Sequence, residues 1–216
     1  MTSILALTPR LGVNITTFSN SAWIDTFPFE VAGAAAGYPG SGNIGLGAIT
    51  VATVAPQTPL GTHQVEVVEA TAGESPRFTV VAPDGALTVV GRAGVPVVAG
   101  GIGFTLTVGA TPLVVGDTFL IGVTPAPLDV TGWGFALMLR RDADPDTVCL
   151  SASTGTGTIA NGGTTGQAGM RVQLATMRAL APDTYRYDLI AFAEGYDVLA
   201  YAGTLRHVQG ITVRAS

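Results

Sequence analysis

Hydrophobic and polar positions alternate strictly along the stretch from Asp129 to Arg140. Trp133, Phe135, Leu137 and Leu139 fall on one face, and Gly134, Ala136, Met138 and Arg140 on the other. A period of two with bulky groups on one side is the signature of a half-buried strand. The same period over residues 22–31 puts Trp23, Asp25, Phe27, Phe29 and Val31 together, and Pro28 removes one ladder donor, which marks an edge or a bulge. An aromatic face of this kind calls for an aromatic partner. The expected partner is the Trp133/Phe135 strand, with Trp133 packed near Phe27 or Phe29.

The residues between these two strands carry their own set of short apolar runs. Strands are expected at 47–54, 62–70, 77–82, 87–92, 103–108 and 118–123, and Ala82-Pro83-Asp84-Gly85-Ala86 reads as a hairpin turn. The small, turn-rich stretch 32–42 has linker composition, and Thr124-Pro125-Ala126-Pro127-Leu128 reads as a proline-stiffened connector. These boundaries predict a discontinuous β-sandwich domain, residues 1–38 plus 128–216, with a second β-domain, 39–127, inserted into it. Residues 1–20 form an arm or a first edge strand. After Arg140 come a short strand near 147–151, a Thr/Gly-rich mobile loop or weak hairpin over 153–166, alternation over 170–174 and one helical turn at 175–180. A hairpin of 185–192 with 196–205 around Glu194-Gly195 follows, and 207–213 closes the chain. No segment longer than about ten residues has helical periodicity, so the expected fold class is all-β, with two β-sandwich or Ig-like domains.

Composition narrows the function classes. Of 216 residues only 12% are charged, while 47% are hydrophobic; all ten basic residues are arginine, and the net charge is −5. That balance argues against nucleic acid, whose phosphates need clustered cations. No apolar run approaches the roughly 18 residues of a membrane span, and the first ten residues lack the basic start of a signal peptide, so a soluble, uncleaved chain is expected. So few charges point either to codon usage in a GC-rich genome or to broad surfaces buried between subunits; both can hold. Cys149 is the single cysteine, so no intrachain disulfide can form, and its apolar neighbours suggest a small core residue.

The candidate chemistry is thin. Gly40-Ser41-Gly42-Asn43-Ile44-Gly45 matches the spacing of a dinucleotide loop, but it precedes a β-branched stretch and not a helix, so a flexible loop is expected. Asp142, Asp144 and Asp146 have the first spacings of a calcium loop, yet Thr147 stands at the glycine position and Ser153 at that of the bidentate carboxylate. A solvated hairpin tip is the expected outcome. His63 shares the phase of Val65 and Val67, a strand-end packing position, and His207 has no acid beside it. One cysteine and two isolated histidines make no zinc cluster, and no nucleophile elbow is present. The expected catalytic, cofactor-binding and metal-binding sets are therefore all "none", and the chain reads as a non-enzyme. A carbohydrate- or host-surface-binding role stays open through Tyr185, Tyr187, Tyr196 or Trp133 as stacking platforms, although core positions suit these rings better.

Three stretches carry a resemblance: Trp23-Ile24-Asp25-Thr26-Phe27-Pro28-Phe29, Asp129-Val130-Thr131-Gly132-Trp133-Gly134-Phe135, and Leu180-Ala181-Pro182-Asp183-Thr184-Tyr185-Arg186-Tyr187-Asp188-Leu189. Together they resemble the N-terminal β-domain of tailed-phage baseplate upper proteins. In that family the first two stretches lie close together, whereas here nearly a hundred residues separate them. Gly45–Val51, Phe78–Gly85, Ile102–Leu106 and Val115–Phe119 are similar to a module found in phage head decoration proteins. The resemblances imply a non-enzymatic structural protein of the virion that forms a symmetric homo-oligomer. Its partners would be other tail, baseplate or capsid proteins, with no nucleic acid and no membrane. Tail attachment and capsid decoration (cement) are the two placements implied.

Overall fold

The computed structural model describes residue 4 and residues 7–141 and 144–211. Nearly all the regular structure is β, as the period-two pattern requires. The chain divides into two compact units, one made of Met1–Phe29 with Pro127–Ser216 and the other of Glu30–Ala126.

The chain opens with β1 (Arg10–Leu11), β2 (Ile15–Phe18) and β3 (Trp23–Pro28). The next element, β4, spans Glu30–Pro39. The stretch read as a linker from 32 to 42 is thus mostly strand. Its alanines and glycines look like linker in composition, but close packing selects them: a Cβ on Gly37 would meet Ile49 Cβ at 2.5 Å. Then come β5 (Gly47–Val54), β6 (Gly61–Glu69), β7 (Arg77–Val81), β8 (Leu87–Arg92), β9 (Val97–Ala99), β10 (Ile102–Val108) and β11 (Thr118–Pro127). The proline stretch read as a connector is the end of β11, paired with β4 at the sheet edge, where missing N–H donors cost little. Strand β9 carries no legible signal of its own, being only three residues long.

In the 30–126 unit one sheet runs β4-β11-β6-β7-β8 and the other β5-β10-β9. Their inner faces enclose a core that includes Val65, Val67, Phe78, Phe104, Phe119 and Ile121. Phe78 and Phe104 meet across it at 5.8 Å between ring centroids. The alternation in β6 (His63, Val65 and Val67 buried, the residues between them exposed) is what a sheet with one wet face demands.

The rest of the chain supplies β12 (Gly134–Arg141), β13 (Asp144–Ser153), β14 (Ile159–Asn161), β15 (Gln167–Val172), α1 (Leu174–Ala179), β16 (Asp183–Ala193) and β17 (Tyr196–Val208). The larger sheet runs β1-β17-β16-β12-β13, with β2 also parallel to β17; the smaller is β14-β15-β3. Trp133, Phe135, Leu137 and Leu139 are all buried. Phe29 stacks on Phe135 at 5.1 Å and meets Trp133 edge-on at 6.5 Å, as the alternation predicts. The ladder partner of β3, however, is β15 and not the Trp133 strand. Two inward-facing aromatic rows meet across a sandwich core, and they need not share a ladder. Phe27 meets Tyr201 edge-on at 5.1 Å and Tyr187 at a tilt at 6.4 Å. Residues 153–166, read as a mobile loop or weak hairpin, hold β14, which pairs antiparallel with β15, and a hydroxyl cluster in which Ser153 N–H donates to Thr158 Oγ1 at 2.8 Å.

Candidate functional site

The most distinctive surface lies at one end of the 30–126 unit, and Asp117 builds it. This carboxylate, 2% exposed, accepts three backbone hydrogen bonds. Ile44 N–H reaches Oδ1 at 2.8 Å, while Gly45 N–H (3.0 Å) and Val114 N–H (2.9 Å) reach Oδ2. Beside it Asn43 closes a two-way bridge to Thr118: its Nδ2 donates to the Thr118 carbonyl, and Thr118 N–H donates to its Oδ1, both at 2.7 Å. The stretch 40–45 is therefore a tied-down turn and not the slack loop its glycines suggest. Gly45 is glycine because a Cβ there would lie 2.5 Å from Asp117 Oδ2, Leu113 Cα and the Pro112 carbonyl. Gly40 is likewise crowded, by the Thr118 carbonyl at 2.9 Å, whereas a Cβ on Gly42 would meet open space, so packing accounts for two of the three glycines in the dinucleotide-like spacing.

These bonds hold two segments side by side, and further backbone bonds from Leu46 N–H to the Thr111 carbonyl (2.9 Å) and from Gly109 N–H to the Leu46 carbonyl (2.5 Å) join them. Together they present Ile44 (73% exposed), Leu46 (57%), Val108 (44%) and Val115 (62%) to solvent. No Asp, Glu, Lys or Arg occurs in residues 31–62 or 93–116. The result is a largely apolar tip on a hydrogen-bonded frame, with Glu74 of the neighbouring 70–76 stretch lining a depression beside Val108 and Val114. Sequence inspection missed Asp117, because a lone acid in a Gly-Asp-Thr turn looks like ordinary loop chemistry.

The residues singled out by sequence are scattered. His63 is fully buried in phase with Val65 and Val67, with Nε2 at 3.0 Å from the Pro59 carbonyl. His207 lies in the other unit, buried against Thr17, whose Oγ1 is 2.9 Å from Nδ1. Burial lowers the His207 pKa from its ordinary value, while the neighbouring backbone of Met177 and Leu180 opposes that shift. Cys149 is half-buried and not a core residue; it sits on edge strand β13, with Sγ 3.8 Å from the Thr147 carbonyl. Asp142 lies outside the described residues. Asp144 accepts from Thr147 N–H at 3.3 Å, a local turn bond. No cluster of three or more metal-ligating side chains occurs among the described residues.

Of the four proposed stacking aromatics, three are core. Tyr185 is buried, and its hydroxyl donates to the Ala181 carbonyl at 2.6 Å, a tyrosine-corner arrangement. Tyr187 donates to the Val13 carbonyl at 3.1 Å, and desolvation pushes its pKa up to about 12. Trp133 packs on Phe29. Only Tyr196, 52% exposed, is open to solvent. It borders a shallow depression of about 510 Å³ with Trp133, Phe192, Glu194 and Asp197.

No family model matches the chain, and no curated protein matches it. Two crystal structures of FlgL from Xanthomonas campestris, in space groups H3 and C2, align at TM-score 0.33 and 20% identity over 44% and 45% of this chain. The aligned part is 31% of FlgL in each case.

Proposed function

We propose that this chain is a non-enzymatic structural component of a tailed-phage virion, docking on the tail, baseplate or capsid as a symmetric homo-oligomer. The observation that carries the assembly role is the exposed apolar tip of Ile44, Leu46, Val108 and Val115 held by Asp117. A freely diffusing surface of this kind is unfavourable, and a contact that covers it removes the cost. The virion placement rests on the sequence resemblance.

Magnitudes favour a multivalent arrangement. Complete burial of a Val, Leu or Ile side chain contributes roughly 1.5–3 kcal/mol. The four tip residues are already partly covered, so together they supply about 4–5 kcal/mol. Association costs about 4–15 kcal/mol in lost translational and rotational freedom. One tip alone cannot hold a stable complex; tips that meet one another in a closed symmetric oligomer can.

The test is the mass of the purified chain at about 10 μM, a concentration that a specific micromolar assembly would populate, for wild type and for Ile44→Asp/Leu46→Asp. An assembly that dissociates in the variant while circular dichroism is unchanged supports the reading, and a monomeric wild type overturns it. Immunogold labelling of intact particles then separates the two placements, because signal spread over heads sinks tail attachment and signal confined to one end sinks capsid decoration.

A further inference from the structure

We infer that the turn end of the β16–β17 hairpin is a binding platform for neutral or amino-substituted saccharides, built by Phe192, Tyr196, Asp197 and Glu194. The register creates it. Gly134, Phe192 and Asp197 lie opposite one another on β12, β16 and β17, so their positions share one row and one face of the larger sheet. Gly134 leaves room for the Phe192 ring to lie across it: a Cβ there would collide with the ring, whose Cδ2 would be only 2.7 Å away. The glycine covers one side of Phe192, and the ring keeps 39% of its surface open to solvent.

An aromatic ring over a glycine is explained in part by sheet stability alone. That explanation leaves the surroundings unexplained. Tyr196, half exposed, pairs with Ala193 and so starts from the opposite face to Phe192, yet it lines the same depression at the turn, where Glu194 sits at φ 55° and Gly195 at φ 81°. A glutamate in the left-handed region is strained, where asparagine or glycine would be relaxed. The turn thus brings Glu194 to the depression that Phe192 and Tyr196 line.

The chemistry selects the ligand. A pyranose presents a face of C–H groups that stacks on an aromatic ring, and hydroxyls that donate to carboxylates. The charged residues lining the depression, Glu194 and Asp197, are both acidic, so a sialylated or phosphorylated sugar meets like charge. A neutral or amino sugar does not.

The experiment titrates the purified full chain with chitotriose, maltotriose and 3′-sialyllactose, following fluorescence of Trp133, which lines the depression. Binding to at least one neutral trisaccharide is expected, with a millimolar dissociation constant, roughly what a single shallow subsite supplies. Tyr196→Ala and Phe192→Leu, the latter keeping cover over Gly134, each weaken it by about tenfold, the equivalent of one lost stacking contact. Asp197→Asn weakens it less. No response to either neutral sugar, equal affinity in the variants, or tighter binding of the sialylated sugar would overturn the proposal. The measurement needs no assembly, so its failure leaves the structural role standing, and a monomeric chain that still binds sugar leaves this site standing.

Discussion

Replacing Asp117 tests whether one buried carboxylate holds the apolar tip. Its three N–H acceptor bonds, at 2.8, 3.0 and 2.9 Å, are charge-assisted, and each contributes about 1.5 kcal/mol net at the lower end of such bonds. Asp117→Ala removes all three and leaves buried donors unsatisfied, for a loss of about 4 kcal/mol once water reaches the rim. Asp117→Asn can keep the Oδ2 acceptor for Gly45 and Val114 but turns an NH₂ group toward Ile44 N–H, costing about 2 kcal/mol. With a urea slope near 2 kcal/mol/M, the unfolding midpoint falls by about 2 M and about 1 M respectively. The assay has a built-in locator. Both tryptophans, Trp23 and Trp133, lie in the unit of residues 1–29 and 127–216, whereas far-ultraviolet circular dichroism reports every strand. The variants should shift the circular dichroism transition, and hydrogen exchange at Ile44, Gly45 and Val114 should quicken in step. Unchanged exchange at those three amides, with a midpoint shift below about 0.3 M, would refute the reasoning.

Three further outcomes are expected. Phe29→Ala deletes a buried ring that touches Phe135, Trp133 and Tyr201; it should cost about 3–5 kcal/mol and shift the emission of Trp133, both read by fluorescence-detected urea unfolding. Tyr185→Phe removes the 2.6 Å bond to the Ala181 carbonyl and should cost about 1 kcal/mol by the same assay, with the strand content of the circular dichroism spectrum kept. For His207, burial sets the folded pKa below the ordinary value of 6.5, so the unfolded chain protonates first as pH falls. Stability contributed by this group is therefore flat above pH 6.5 and declines below it until the folded pKa is reached. His207→Gln should flatten the pH dependence of the urea midpoint just below pH 6.5, and an identical slope in wild type and variant would count against this assignment.

Period-two patterning made most strands legible, because a strand with one wet face and one dry face must alternate whatever its neighbours are. Strands β5 and β8 fall where the apolar runs predict, at Gly47–Val54 and Leu87–Arg92. The same patterning failed where side chains are too small to alternate visibly. In β4 (Glu30–Pro39) residues 32–39 read as linker, since Ala and Gly are chosen there by close backbone approach, a property of the neighbour and not of the residue. Among candidate site residues, the burial of His63 followed from its phase with Val65 and Val67. The fate of Cys149 did not: an edge strand exposes what an apolar neighbourhood in sequence seems to bury.

The chain by itself determined the class of structure and which faces are dry, because burial of apolar surface acts residue by residue and leaves its period in the sequence. Only the tertiary structure decided what each dry face meets. Phe29 finds Trp133 across a core, while β3, which ends just before it, pairs with β15. The tip and the hairpin platform were also settled in three dimensions. Asp117 gathers amides from residues 44, 45 and 114, and Gly134 lies beneath Phe192 from 58 positions away in sequence. Long-range hydrogen bonds and cross-strand register join residues that carry no local mark of one another, and there the sequence is silent.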